Sequence, residues 1–392
     1  MSAVGIYIAR AKGAGDFRDI KSSLQHGLLL AVLLSLPCMF IIWYAPNLLL
    51  AIGEDPLVVR NAILLLHGLV WGFPGFLLFL VLREFISAFA LTPAVMFVAL
   101  GSIPLTFAAN YCLIYGKFGL PPLGIAGIGY AGAGVMWFMP LCLFLYCKNH
   151  SLLKNHISYK LFQFDRGKMQ DILHIGAPSG ILLILESGMF LFAAIIMGYF
   201  GVDALAAHQI ALQCASMAYA IPFALSMAIA MQVGHAAGSK DFEQAERSAF
   251  LGLAVGLILT IITASFFIFA REKLIGIFLT GKEENYKAVT QLASTLLIIA
   301  GIFQCFDGIQ AIANGALRGL KDTLIPMLLS IGCYWILGVG SAYYFAFHTR
   351  LGAAGIWYGL TLGLSSIGII LTLRLLRKIR LEKKKCRSVC AK

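Results

Sequence analysis

Charge is what this sequence has least of. Of its 392 residues only 18 are acidic and 30 are Lys or Arg, so charged residues make up 12% of the chain and hydrophobic ones 60%. A soluble domain carries about twice that charged fraction, which excludes an ordinary water-soluble fold. The shortfall of acids leaves a formal net charge of +12, a value that in a soluble protein would suggest nucleic acid. Here the cations lie between apolar runs instead of along one face, and no nucleic-acid partner is expected.

Other absences narrow the class further. Nine cysteines are present, but their odd number and unpaired spacing read as free thiols rather than a disulfide framework. Cys38, Cys112, Cys142, Cys214 and Cys333 fall inside apolar runs, and Cys305 neighbours Asp307. Neither Cys nor His shows transition-metal ligand spacing, so no metal cofactor is expected. The string Gly127-Ile128-Gly129-Tyr130-Ala131-Gly132 matches a dinucleotide fingerprint, but it lies in an apolar run with no strand before it. Close helix packing is the better reading. The stretch Gly315-Ala316-Leu317-Arg318-Gly319-Leu320-Lys321-Asp322 has the wrong spacing for a phosphate loop and no Ser or Thr after its Lys. With no nucleotide-binding domain and no catalytic constellation, the chain is not expected to be an enzyme. Residues 1–10 are too short and end in the wrong charge for a signal peptide.

What the sequence does have is apolar length. Ten segments are long enough to span a bilayer, each about 20 residues or more, near 24–44, 61–82, 93–115, 124–147, 172–199, 203–232, 247–270, 286–317, 325–347 and 353–376. The fold class is therefore all-α, a polytopic helical membrane protein in contact with the lipid bilayer. Pro37, Pro74, Pro104, Pro140, Pro178 and Pro222 lie within or near the starts of these segments and predict kinks. When the connecting segments are assigned alternately to two sides, 23 of the Lys and Arg fall on one side and seven on the other. The positive-inside rule then puts both termini in the cytoplasm. The basic tail 377–392 reads as a topology anchor on anionic lipid.

The chain also repeats itself. Gly13-Ala14-Gly15-Asp16-Phe17 returns as Gly238-Ser239-Lys240-Asp241-Phe242, and Leu123-Gly124-Ile125-Ala126-Gly127-Ile128 returns as Leu351-Gly352-Ala353-Ala354-Gly355-Ile356. The offsets, 225 and 228, are nearly equal. Two bundles of parallel orientation follow, a known plan of secondary transporters: a first lobe over 1–147, a basic cytoplasmic linker over 148–170, a second lobe over 171–376 and the tail. Two long segments precede the second mark and only a dozen residues precede the first. The expected count is four spans plus six, against six plus six for a symmetric whole. On that reading the chain lacks its first two helices, and its first lobe is an incomplete wall.

Against this apolar background two carboxylates stand out. An apolar helix is expected over 292–326, carrying Asp307 near its middle, with Gln304, Gln310 and Asn314 on the same face at steps of three and four. A polar stripe of this kind faces a cavity or a protein neighbour, because lipid cannot satisfy it. Glu186 lies centrally in 181–197 with Ser179 seven residues earlier, and Gln209 and Gln213 share a face of the next helix with His208 one position round. Either carboxylate could bond a partner helix as structural glue, and a lone His is more often a packing residue than a ligand. An intramembrane carboxylate is nonetheless a functional-site hypothesis by default. Two of them on separate helices, with amides near, suit a proton or a hard monovalent cation.

The runs Gly176-Ala177-Pro178-Ser179-Gly180, Ala206-Ala207-His208-Gln209-Ile210, Gln304-Cys305-Phe306-Asp307 and Gly315-Ala316-Leu317-Arg318-Gly319 resemble those of the multidrug and toxic-compound extrusion family. The resemblance covers essentially the whole chain. It implies a twelve-helix antiporter of two six-helix lobes that exports amphipathic, often cationic small molecules in exchange for Na+ or H+, as a monomer and without another cofactor. It places the second-lobe cation site on Glu186 and Asp307, with Ser179, His208, Gln209, Gln213, Gln304, Gln310 and Asn314 as cavity or supporting residues. Gln213 stands where the family usually has Asn. Two other readings stay open: a flippase for a lipid-linked substrate, and a non-transporting remnant or partner subunit.

Overall fold

The computed structural model describes residues 1–53, 55–119, 121–156, 164–279 and 285–390. Part of the basic linker, 157–163, and the last two residues of the tail lie outside the described residues. The described elements are helical: α1 Ser2–Gly13, α2 Phe17–Ile52, α3 Pro56–Leu69, α4 Phe73–Ala88, α5 Thr92–Tyr115, α6 Ile125–Asn149, α7 Arg166–Gly198, α8 Val202–Gly238, α9 Phe242–Phe269, α10 Arg271–Phe278, α11 Tyr286–Gly319, α12 Leu324–Ser330, α13 Gly340–His348 and α14 Ala353–Cys390. Short 3-10 turns cover Val70–Gly72 and Lys154–His156, and a π-helical stretch, Ile331–Val339, joins α12 to α13. Ten stretches among the described residues are long and apolar enough to cross a membrane. The protein is an integral membrane protein.

The chain divides into two compact units, Met1–Leu173 and His174–Lys392. In the first, α6 packs against α3, α4 and α5. Small residues make that possible, since a Cβ on Gly129 would come within 2.3 Å of the Leu65 carbonyl oxygen and one on Gly72 within 2.6 Å of the Ala133 Cα. The segment expected as one helix over 61–82 is broken by the 3-10 turn at Val70–Gly72. Pro74, in the first turn of α4, explains the break: its ring occupies the space in which the Val70 carbonyl would take its helical bond.

In the second unit α11 is central and packs against α8, α9 and α14. Of its most apolar window 72% is buried, where most other spans show large hydrophobic side chains on their surface. The structure corrects the expected helix over 292–326. The helix ends at Gly319 and a separate one starts at Leu324. The terminator is local: Lys321 adopts φ 60°, which lets the Asp322 N–H reach the Leu317 carbonyl at 2.9 Å and the Lys321 N–H reach Arg318 at 2.9 Å. That is the Schellman arrangement, which satisfies carbonyls left over at a helix end.

The same device marks the internal repeat. The α1 and α8 helices close with the Asp16 N–H on the Ala11 carbonyl and the Asp241 N–H on the Ala236 carbonyl, both at 2.9 Å. Each aspartate then turns its side chain to the next helix, Asp16 accepting from the Asp19 N–H at 3.0 Å and Asp241 from the Gln244 N–H at 2.9 Å. The second mark behaves alike. Gly124 and Gly352 have φ of 56° and 53°, values open to glycine at little cost, and each begins a helix through its carbonyl, accepting from Gly127 and Gly355.

Candidate functional site

The polar stripe of α11 follows from its spacing. Gln304, Asp307 and Gln310 are 0%, 4% and 1% exposed, so the stripe points into protein. Gln310 Nε2 donates to the Tyr334 hydroxyl at 2.7 Å, while its Oε1, both amide atoms of Gln304 and Oδ1 of Asp307 are buried without a hydrogen-bonding partner. Buried polar atoms are ordinarily satisfied; of these three residues Asp307 opens onto a cavity, while Gln304 and Gln310 border neither cavity described below.

From α7, Glu186 reaches the same place. Glu186 and Asp307 line one cavity of about 340 Å³ with Ser216 and Tyr219 of α8, walled by apolar side chains such as Leu183, Phe190 and Phe303. Glu186 also borders a smaller pocket of about 20 Å³ with Ser179, Tyr219, Ser226, Asn314 and Arg318, room for about one water-sized particle. Tyr219 borders both cavities beside Glu186, and Arg318 borders the smaller one. Each of the two cavities thus brings polar groups from α7, α8 and α11 against Glu186. Such an arrangement can bind and release a cation; among the described residues no cluster of His, Cys, Asp and Glu could hold a metal ion through three ligands.

The remaining residues expected at a site are placed as follows. Ser179 donates to the Ile175 carbonyl at 2.8 Å and lines the small pocket with Asn314. His208 is fully buried, accepts at Nδ1 from Trp357 Nε1 at 3.1 Å and packs edge-on to that indole; it borders neither cavity. Gln209 and Gln213 are exposed along α8 and border neither cavity either.

Three participants were not evident in the sequence. Tyr219 continues the face of Gln213 and Ser216 at the next step of three, but an aromatic in an apolar run reads as packing. Arg318, counted above with the loop cations, is a residue of α11, is 8% exposed and lies 3.4 Å from the Ser226 hydroxyl. It extends the stripe of Asn314 by four residues. Tyr334 is fully buried within the π-helical stretch, and no spacing rule points to it.

Comparison with known proteins agrees with this architecture. The family model described as MatE matches residues 1–112 and 178–344. A probable multidrug resistance protein NorM of Pseudomonas putida is 37% identical over 379 residues, spanning 95% of this chain and 81% of that protein. The corresponding protein of Pseudomonas aeruginosa is 38% identical, with 95% and 77% spanned. Among solved structures, the eukaryotic MATE transporter AtDTX14 superposes with a TM-score of 0.84 at 21% identity over 98% of this chain and 85% of that one. An outward-facing multidrug resistance MATE family transporter of the MOP superfamily gives 0.88 at 20%, over 98% and 84%. At such identities the structures speak for the fold alone. With a matching family model over most of its length and relatives above 30% identity, the chain belongs to the MatE family.

Proposed function

We propose that this protein is a multidrug efflux transporter of the inner membrane, acting as a single chain, that exchanges amphipathic cations for Na+ or H+ at Glu186 and Asp307. The observation that carries the reading is the shared cavity, in which two carboxylates from different helices meet among apolar walls. Desolvating two negative charges together is costly unless a cation or a proton joins them. A drug cation and a coupling ion would draw on the same charge, so binding of one disfavours the other. Competition of this kind is the thermodynamic requirement for exchange. The apolar walls suit the hydrophobic body of an amphipathic molecule, and the names of the Pseudomonas relatives point the same way.

The test is dye movement in proteoliposomes loaded with a fluorescent cationic dye. An imposed Na+ or H+ gradient of the correct direction is expected to drive dye across the membrane, and collapsing the gradient is expected to stop it. Dye movement indifferent to both gradients would refute ion exchange.

Orientation is a separate proposal. The 23-to-seven division of Lys and Arg supports cytoplasmic termini and a cytoplasmic loop 148–170. Asn155 lies on that loop and Lys273 on the opposite side, and both are exposed. With native cysteines replaced by serine, an impermeant maleimide added to intact cells is expected to label Lys273→Cys and not Asn155→Cys. The reverse pattern would invert the topology.

A further inference from the structure

One feature of the second unit lies apart from the carboxylates. Between α12 and α14 runs a groove of about 590 Å³ whose walls are Ile325 and Leu329 on one side and Ile370 and Leu373 on the other. Its rim is basic: Arg374, Arg377 and Lys378 all border it. The sequence explains the mixture. Positions 370, 373, 374, 377 and 378 recur at steps of three and four, so they share one face of α14, and that face changes from apolar to basic within about one turn. Ile325 and Leu373 are exposed, as lipid-facing side chains are.

The three cations are not equivalent. Arg374 is committed to Asp322, at 2.8 Å from a carboxylate that is itself buried. Lys378 meets Glu382 at 3.3 Å in a pair between consecutive turns, a type that contributes little. Arg377 has no acidic partner among the described residues. The rim therefore presents a planar guanidinium with free donor capacity beside a loosely held ammonium, directly above an apolar trough. A guanidinium in that setting favours the oxygens of a phosphate, and the trough favours a hydrocarbon chain attached to it. An inorganic anion, which has no chain, would leave the trough empty, and a zwitterionic lipid would set its ammonium against the same cations.

We propose that this groove is a binding site for an anionic phospholipid, with the headgroup phosphate on Arg377 and Lys378 and the upper part of an acyl chain lying between Leu329 and Leu373. This goes beyond diffuse attraction of a basic tail to a charged membrane, because it ties binding to two cations of the nine in 374–392 and to the trough beneath them. It is independent of the transport reading.

Native mass spectrometry of the purified full chain, incubated with equal amounts of phosphatidylglycerol and phosphatidylcholine, tests it. The parent is expected to retain phosphatidylglycerol preferentially. The double variant Arg377→Gln/Lys378→Gln is expected to lose that preference by roughly thirtyfold, while Lys384→Gln/Lys385→Gln, which removes the same charge from the tail outside the groove, keeps it. Leu329→Trp, which fills the trough without touching charge, is also expected to lose retention. Equal loss in both charge variants would reduce the effect to the tail's general electrostatics, no preference in the parent would remove the site, and full retention in Leu329→Trp would leave an anion contact without a lipid chain; each overturns the proposal. Melting temperatures of the variants separate lost binding from lost fold, above all for Leu329→Trp, since Leu329 is partly buried and packs against the core. Arg374 is left untouched because its removal would strand the buried Asp322.

Discussion

Asp307→Asn and Glu186→Gln are each expected to abolish ion-driven efflux while leaving the protein inserted and folded. The amide keeps the size of the carboxyl group and most of its hydrogen-bonding capacity, and removes only the charge that a coupling ion or a drug cation engages. Losing one charged partner from a buried ionic contact costs about 3–5 kcal/mol, so gradient-driven dye movement should fall by at least roughly 100-fold. Stability should behave differently. Both side chains line one cavity, so replacing either removes a like-charge repulsion, and Oδ1 of Asp307 has no hydrogen-bonding partner to lose. Melting temperature is therefore expected to hold or rise in Asp307→Asn as transport disappears, whereas Glu186→Gln also takes a charge away from beside the buried Arg318 and gains less. A carboxylate that serves only as glue between helices predicts the opposite pair of results, lower melting with transport retained. Full coupled efflux in the double variant would end the assignment of the ion site.

The contrast between these residues and their neighbours shows what the sequence could disclose. Spacing alone puts Gln304, Asp307, Gln310 and Asn314 on one face, because a helix fixes which residues are neighbours along its own axis. It does not say which helix comes to meet that face. Glu186 is recognisable by the cost of any carboxylate in an apolar span, a signal that does not depend on knowing its neighbours. Tyr219 and Tyr334 carry no such penalty, so only packing reveals that one borders the cavities at Glu186 and the other accepts from Gln310. Arg318 shows a related limit: it directly follows the apolar run 286–317 and so reads as a loop cation, whereas α11 continues two residues past that run and buries it. The repeat was legible in more detail than the site. Its two marks are short local structures, a helix terminator with an aspartate cap and a glycine at positive φ, and local structure is what short sequence matches encode. The π-helical stretch at Ile331–Val339 had no counterpart in the apolar periodicity, since the run around it is hydrophobic on every side.

Gly315→Val is expected to prevent the second unit from folding, and Gly315→Ala to destabilise it strongly. The reason lies in how closely α11 approaches α8. A Cβ placed on Gly315 would stand 2.3 Å from the carbonyl oxygen of Ser226 and 2.9 Å from its carbonyl carbon, and one on Gly319 would stand 2.6 Å from the Ala230 carbonyl oxygen. These are backbone atoms, which cannot rotate aside as a side chain can. The two glycines, four residues apart on one face, are a small-x-x-x-small contact of the kind that brings membrane helices together by van der Waals packing. Overpacking usually costs about 1–3 kcal/mol and sometimes more; here relief requires the helices to part along the contact, and α8–α11 packing is the centre of the unit. The consequence reaches the site. Ser226, which fills the close approach, also receives Arg318 at 3.4 Å and lines the pocket at Glu186, so widening the contact would draw Tyr219 and Glu186 out of register with Asn314 and Asp307. Gly180 supplies the control: it lies inside α7 with no atom within 4 Å of its hypothetical Cβ, and Gly180→Ala should be neutral or stabilise by about 0.5–1 kcal/mol. Thermal unfolding followed by size-exclusion chromatography in detergent reads all three. A Gly315→Val protein that elutes and melts as the parent does would show that the α8–α11 approach is not what holds the unit together.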